Sequence, residues 1–82
     1  IPPVIRVYPN PATDYVNVDL PENEVTGMLS LVSASGQTLR SVHSSEGETN
    51  VRLDIQDLPR GMYLVRWEQT DGQVAVKKVV VQ

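Results

Sequence analysis

The single histidine of the chain, His43, stands directly before two serines, Ser44 and Ser45, and is the first place to look for catalysis. A serine–histidine–acid set needs a base that reaches the nucleophile and a third group that orients the base. Consecutive strand residues point to opposite faces of a sheet, so a strand through His43 keeps its imidazole away from the Ser44 hydroxyl. We therefore predict a half-exposed histidine at a strand end, no catalytic residue and no enzymatic activity.

The ten carboxylates are scattered along the chain, and two close pairs could contribute to a calcium site. These pairs are Glu22 with Glu24 and Glu46 with Glu48. Calcium takes about six to eight oxygen ligands at defined spacing, and no loop of that kind is present. The chain also lacks cysteine and any glycine-rich phosphate loop between a strand and a helix. We expect solvated loop charges, no metal and no cofactor.

Two of the four aromatic residues, Tyr63 and Trp67, could form a platform for stacking sugars or bases. In a strand they share one face with Val65, while Arg66 lies on the opposite face. Because the chain is otherwise poor in aromatic residues, the sequence favours a core position for Tyr63 and Trp67.

Three arginines, Arg40, Arg52 and Arg66, could lie near one another across strands as an exposed stripe that alternates with acids. Such a stripe is more typical of a solvated face than of a site. The pair Lys77-Lys78 is typical of edge-strand protection, because lysine discourages unwanted pairing.

Short β-prone runs separated by turn residues must position these side chains. The predicted strands cover residues 4–8, 15–20, 28–32, 38–43, 49–55, 62–69 and 74–82, with a single helical or 3₁₀ turn possible at Leu58. Alternation points Val16, Val18, Leu20, Val51, Leu53 and Ile55 inward, and it places Leu29 and Leu31 on one face of their strand. No segment has the period of an amphipathic helix. Seven short strands favour an all-β, seven-stranded antiparallel immunoglobulin-like β-sandwich, with a small barrel as the alternative.

The last two runs are joined by Asp71-Gly72, which predicts a hairpin with a type I′ turn. In the second arm the hydrophobic pattern does not decide which face is buried, because Val79 and Val81 share a face with Lys77 and Val80 shares one with Lys78. We favour Val79 and Val81 pointing inward. The chain ends while still in a strand, and an open strand edge is a template for pairing with another chain. We therefore expect a possible homodimer through the C-terminal strand.

The 82 residues carry a formal net charge of −3 and are long enough for one domain. No basic patch predicts a nucleic-acid partner. No run reaches the length of a transmembrane helix, and no signal peptide is visible. The start at Ile1-Pro2-Pro3 without methionine suggests a fragment, with residues 1–4 as the end of a linker, residues 5–82 as the domain, and a larger protein upstream.

Four motifs occur in a characteristic order across residues 5–82. They are Val7-Tyr8-Pro9-Asn10-Pro11-Ala12, Gly36-Gln37 after a strand, Leu58-Pro59-Arg60-Gly61-Met62-Tyr63-Leu64-Val65, and the terminal Lys77-Lys78-Val79-Val80-Val81-Gln82. Together they resemble the type A C-terminal sorting domain of cargo proteins of the type IX secretion system, which occurs in certain Gram-negative bacteria.

The resemblance implies a seven-stranded sandwich and a role as a secretion signal. Family members follow an N-terminal cargo domain that reaches the periplasm by an ordinary signal peptide. An outer-membrane translocon then recognises the sorting domain, mainly through the last two strands. A sortase-like cysteine peptidase usually removes the domain at the surface and joins the cargo to lipopolysaccharide. The implied location is therefore the periplasm in transit, then the outer membrane, the cell surface or the medium.

Matching positions carry the recognition or presentation role. They are Gly61, Tyr63 and Val65 of the Gly-x-Tyr-x-Val motif, with Lys77, Lys78, Val79, Val80, Val81 and Gln82 at the end of the chain. The glycine lets the backbone turn into the strand, and the tyrosine and valine pack it. The alternative function is a carbohydrate-binding, protein-binding or spacer module of a secreted protein, suggested by the sandwich and by Trp67.

Overall fold

The structure is a computed structural model that describes residues 3–21 and 25–82 of the chain. Its regular elements are β1 (Arg6–Tyr8), β2 (Tyr15–Asp19), β3 (Gly27–Ser33), β4 (Thr38–Ser44), β5 (Asn50–Asp54), β6 (Gly61–Gln69) and β7 (Val74–Val81). Within the described ranges, no helix is long and apolar enough to cross a membrane. The predicted all-β chain of seven strands is confirmed.

Two antiparallel sheets form the sandwich. The smaller sheet has the strand order β1-β2-β5, and the larger one has the order β4-β3-β6-β7. The chain leaves the small sheet after β2, returns to it at β5, and crosses again to β6, which pairs with β3 in the middle of the large sheet. The immunoglobulin-like sandwich is therefore confirmed and the barrel alternative is wrong.

Alternating apolar side chains fill the space between the sheets. The six residues predicted to point inward, which lie in or directly after β2 and β5, are all buried: Val16, Val18, Leu20, Val51, Leu53 and Ile55. Leu29 and Leu31, predicted to share one face of β3, are buried together. Trp67 of β6 is the largest fully buried side chain and packs in the same cluster. Burial of each large apolar side chain stabilises the fold by about 1.5–3 kcal/mol, so this pattern fixes which face of every strand is inside.

The hairpin between β6 and β7 has a three-residue loop and not the predicted type I′ turn. Gln69 N–H donates to Gln73 C=O at 2.8 Å, and Gly72 N–H donates to Gln69 C=O at 2.9 Å. Among the described residues no residue other than glycine has a positive φ, whereas a type I′ turn requires one at Asp71. Gly72, with φ of +93°, follows a turn through Thr70 and Asp71 as a bulge.

Other elements differ from the prediction near their ends. Strand β1 begins at Arg6 and not at Val4, and Ser44 belongs to β4 and not to the following loop. The possible helical turn at Leu58 is a single turn in which Leu58 N–H donates to Ile55 C=O at 3.0 Å. These shifts of one or two residues do not change the faces of the strands.

Candidate functional site

The last two strands, β6 and β7, form a long antiparallel ribbon at one side of the large sheet. Their pairing runs from Gly61 opposite Val81 to Glu68 opposite Val74. All nine residues predicted to carry recognition or presentation lie on this ribbon or directly after it. We call β6 and β7 together the closing ribbon.

The inner face of the closing ribbon belongs to the core. Tyr63, Val65, Val79 and Val81 are buried, and Val65 and Val79 are inaccessible to solvent. The predicted inward direction of Val79 and Val81 is therefore confirmed. In the folded domain these four side chains can position the ribbon, but no partner can touch Val65 or Val79.

The remaining predicted residues lie on the surface, so the structure divides the predicted set in two. Gly61, Lys77, Lys78, Val80 and Gln82 are exposed. Lys78 and Val80 point outward on the large sheet. The surface half of the set is the part that is available to a partner.

The start of β6 is fixed by Gly61 and by the Tyr63 hydroxyl. Gly61 has φ of +153°, a backbone conformation that residues with a side chain rarely adopt. A Cβ added there would meet nothing within 4 Å, so the backbone conformation, and not a lack of space, favours glycine. The Tyr63 hydroxyl donates to the Pro59 carbonyl at 2.5 Å, four residues back along the chain. This bond resembles the tyrosine corner of immunoglobulin-like sandwiches, which pins the entrance of the corresponding strand. The turning role predicted for Gly61 and the packing role predicted for Tyr63 have this physical basis.

Trp67 is anchored in the interior by Ser44, a pairing that the sequence did not reveal. The indole Nε1–H donates to Ser44 Oγ at 3.0 Å, and both side chains are buried. Gly27 lies against this pair, because a Cβ there would lie 2.7 Å from Trp67 Nε1 and 2.8 Å from the Glu68 carbonyl oxygen. The predicted core position of Trp67 is correct, and its enclosed ring offers no stacking platform for a sugar or base.

The outer face of the closing ribbon carries unusual apolar exposure. Met62 and Val80 form a cross-strand pair in which the side chains are 46% and 37% exposed, and Val76 is 50% exposed. Arg66 and Glu68 lie on the same face, with Arg66 Nη2 3.4 Å from Glu68 Oε2. Exposed ion pairs of this kind contribute little to stability, about 1 kcal/mol at most. The outer face combines apolar and charged groups that a partner could contact.

The C-terminal half of the outer edge of β7 is bonded to residues 10–12, which we call the strap. Asn10 Nδ2 donates to the Lys78 carbonyl at 3.2 Å, and Asn10 Oδ1 accepts from Val80 N–H at 3.0 Å. Ala12 N–H donates to the Val80 carbonyl, and Gln82 N–H donates to the Ala12 carbonyl, both at 2.8 Å. The side-chain amide of Asn10 thus pairs with β7 in the way that a peptide group of a neighbouring strand would. The edge of the last strand is partly closed by the motif that begins the domain.

The groups that could have carried catalysis or metal binding are separated. His43 is exposed on the opposite face of β4 from the buried Ser44, as predicted. The Glu48 carboxylate accepts from Ser45 N–H at 2.9 Å, and no cluster of potential metal ligands occurs in residues 3–21 and 25–82. Glu22 and Glu24 lie outside the described residues.

The predicted stripe of three arginines does not form, because Arg52 lies on the small sheet while Arg40 and Arg66 lie on opposite faces of the large sheet. Arg52 is on β5 of the small sheet, with its guanidinium carbon 3.9 Å from the centroid of the Tyr15 ring. Arg40 on β4 bonds to Asp57, and this contact lowers the pKa of the Asp57 carboxyl below its ordinary value. Arg66 remains alone of the three on the outer face of the ribbon.

A small polar network lies on the small sheet, away from the ribbon. Asp19 Oδ1 accepts from Asn50 Nδ2 at 2.7 Å and from the Tyr8 hydroxyl at 2.9 Å. These two hydrogen bonds lower the pKa of the Asp19 carboxyl, and the bond to Asp19 raises the pKa of the Tyr8 hydroxyl. Tyr8, Asp19 and Asn50 are hydrogen-bonded to one another, and these bonds connect β1 to β2 and β5.

Comparison with known proteins identifies the family. The secretion system C-terminal sorting domain matches residues 6–82 of the chain. No curated protein matches the chain. The chain is similar to the crystal structure of CopC from Methylosinus trichosporium OB3b, with a TM-score of 0.54 and 18% identity over 90% of this chain and 80% of that chain. At this identity the likeness shows a shared fold and nothing about function. Because the family match spans almost the whole chain, this chain belongs to the C-terminal sorting domains of the type IX secretion system.

Proposed function

We propose that this chain is a non-enzymatic secretion signal and that the outer-membrane translocon of the type IX system recognises it through the closing ribbon. The match of residues 6–82 to the sorting-domain family carries the proposal. A type IX secretion signal implies export to the cell surface or secretion. The ribbon suits recognition because its inner face anchors it to the core while its outer face stays open.

The nine predicted residues then have two roles. Gly61, Tyr63, Val65, Val79 and Val81 hold the ribbon in shape, since four of them are buried and the glycine sets the start of β6. The exposed members, Lys77, Lys78, Val80 and Gln82, are the ones we propose to contact the translocon.

The further steps of the route are also proposals. An N-terminal cargo domain precedes residues 1–4, which serve as the end of a linker, and the domain occupies residues 5–82. The cargo crosses the periplasm, and a sortase-like cysteine peptidase removes the domain upstream of its first strand at the surface. Solvent exposure of Val4, next to the fully buried Ile5, supports an accessible linker at this point. Mass spectrometry of the surface product should find cargo that lacks residues 5–82, and intact cargo would contradict this step.

Reporter export tests the main proposal. A folded reporter with a periplasmic signal peptide, ending in this chain, is expressed in a bacterium that has the type IX machinery. We expect the reporter at the surface or in the medium, and in the periplasm when residues 61–82 are deleted. Arg52→Ala, on the opposite sheet, is the control and should be exported normally. Normal export of the deletion variant would refute the proposal.

A homodimer through β7 is a separate proposal, and the strap limits it. The edge from the Lys78 carbonyl to Gln82 N–H is already bonded, so a second copy could add only beside residues 74–77. Light scattering at high protein concentration tests this proposal: a dimer that Val76→Pro abolishes would support it, and a monomer throughout would contradict it.

A further inference from the structure

The outer edge of β7 has two halves with different hydrogen bonding. Gln69 and Gln73 are hydrogen-bonded at the hairpin, and bonded pairs in an antiparallel ladder alternate with non-bonded pairs. Odd-numbered residues of β7 therefore bond to β6, and the backbone groups of Val74, Val76 and Lys78 face away from it. The bonds that the strap makes to Lys78 and Val80 follow the same alternation.

The half of the edge before the strap is open. Within the described chain, no hydrogen bond reaches the N–H or C=O of Val74 and Val76, or the N–H of Lys78, from the outer side. Exposed N–H and C=O groups in a row are a template for an added strand. The strap closes only the half of the edge nearer to the C-terminus.

A positively charged slot lies where the open half of the edge meets the strap, because Asn10 lines it together with Lys77 and Lys78. It has a volume of about 330 Å³ between β1 and β7, with Val7 on one wall and Lys77 and Lys78 on the other. Arg6 also lines it, and Arg6 lies opposite Asp19 in the pairing of β1 with β2. Among the described residues that line the slot, the three charged ones are all cations, although the whole chain has a formal net charge of −3. Local charge opposite to the net charge of the chain favours an acidic partner.

We propose that the open edge at Val74–Lys78 receives an extended segment of a partner protein as an added β-strand, with acidic side chains of that segment against Arg6, Lys77 and Lys78. The partner is then a component of the export machinery, so this proposal rests on the proposed function. Hydrogen bonds between the two backbones supply affinity that does not depend on the partner's side chains. The positive charges of Arg6, Lys77 and Lys78 supply a preference for acidic side chains in the partner. A second copy of this chain is a poorer occupant, because it would bring two positive slots together.

Proline at Val76 is the most selective test. The Val76 N–H faces the open edge and takes no part in the β6 ladder, and proline is tolerated on edge strands in that orientation. Val76→Pro removes the donor and places a ring where the new strand would lie. The matched control, Val76→Ala, shortens the side chain but keeps the N–H.

The assay measures capture of translocon components from detergent-solubilised outer membranes of a type IX bacterium by the purified reporter fusion. Loss of a bond that leaves a partner group unpaired weakens binding about tenfold or more, so we expect that reduction for Val76→Pro and a change under about twofold for Val76→Ala. Equal capture of both variants would overturn the proposal. An equal loss in both would also overturn it, because the side chain and not the edge would be recognised.

Charge and folding have their own controls. Replacing Lys77 and Lys78 together by glutamine should weaken capture and reduce its dependence on salt, and an unchanged salt dependence would refute an acidic partner. If Val76→Pro fails to fold, amide hydrogen exchange of the unmodified chain decides: the Val74 and Val76 amides should become protected on binding, and unchanged exchange would overturn the proposal. If the assay captures a second copy of this chain and no membrane component, the proposed identity of the partner is wrong.

The two proposals can fail separately. If deletion of residues 61–82 leaves export intact, the proposed function is wrong. If the deletion blocks export while the folded Val76→Pro variant is captured and exported normally, only the strand-addition proposal is wrong.

Discussion

Replacing Ser44 by alanine removes the hydrogen-bond acceptor of the Trp67 indole without creating a large cavity. The Nε1–Oγ distance is 3.0 Å, and the two side chains are 0% and 1% exposed, so water cannot take the place of the hydroxyl without rearrangement. A buried donor left without a partner costs about 1–3 kcal/mol. For a domain of this size, that loss lowers the melting temperature by about 5–20 °C.

Thermal and urea unfolding of the purified chain measure this loss. Ser41→Ala is the matched control, because it makes the same change at an exposed position of the same strand. We expect a large loss for Ser44→Ala and a change of about 0.5 kcal/mol or less for the control. In a Trp67→Phe background, which has no indole N–H, Ser44→Ala should cost less than in the unmodified chain. Equal effects of the two serine substitutions would refute the proposed anchor.

Three further predictions concern the close packing at Gly27, the strap, and the ion pair of Arg40 with Asp57. Gly27→Ala should destabilise the fold by about 1–3 kcal/mol in urea unfolding, because the added Cβ would lie 2.8 Å from the Glu68 carbonyl oxygen and the backbone cannot move away freely; an unchanged midpoint would contradict this packing. Asn10→Ala removes two hydrogen bonds to β7 and should cost about 1–2 kcal/mol, with faster amide exchange in the last residues of the strand as the specific readout; unchanged exchange there would mean that the strap does not hold the edge. The bond from Arg40 lowers the pKa of Asp57 in the folded state, so its stabilisation is present above the ordinary value of 3.8 and is lost as the pH falls through the lower folded value. In Arg40→Ala, the free energy of unfolding should therefore fall less steeply with decreasing pH in the acid range. An unchanged pH dependence would show that the ion pair does not stabilise the fold.

Local patterns predicted the fold well, because burial on one face imposes a period of two on strands such as β2, β5 and β6. The alternation at Val16, Val18 and Leu20 needs no knowledge of distant residues, and the structure buries all three. The turn type was harder. Asp71-Gly72 is compatible with two-residue and three-residue loops, and only the register of Gln69 against Gln73 distinguishes them.

The parts of the site that the sequence missed all depend on long-range pairing. Ser44 looked like the start of a polar loop, and its bond to Trp67 spans 23 positions. Asn10 looked like part of a strand terminator, and its bonds to β7 span 68 and 70 positions. A buried tryptophan requires a partner for its N–H, which was the one signal that could have prompted a search for Ser44. No comparable rule points from an exposed asparagine to a distant strand edge.

Site-specific photo-crosslinking during export tests directly whether the translocon contacts the closing ribbon. A photoreactive amino acid is placed at Val76 on the closing ribbon or at Tyr15 on the opposite sheet, both of which are exposed. Recognition through the closing ribbon predicts crosslinks from Val76 to outer-membrane components of the type IX machinery and few or none from Tyr15. Equal crosslinking from the two positions, or crosslinking from Tyr15 alone, would contradict recognition through the closing ribbon.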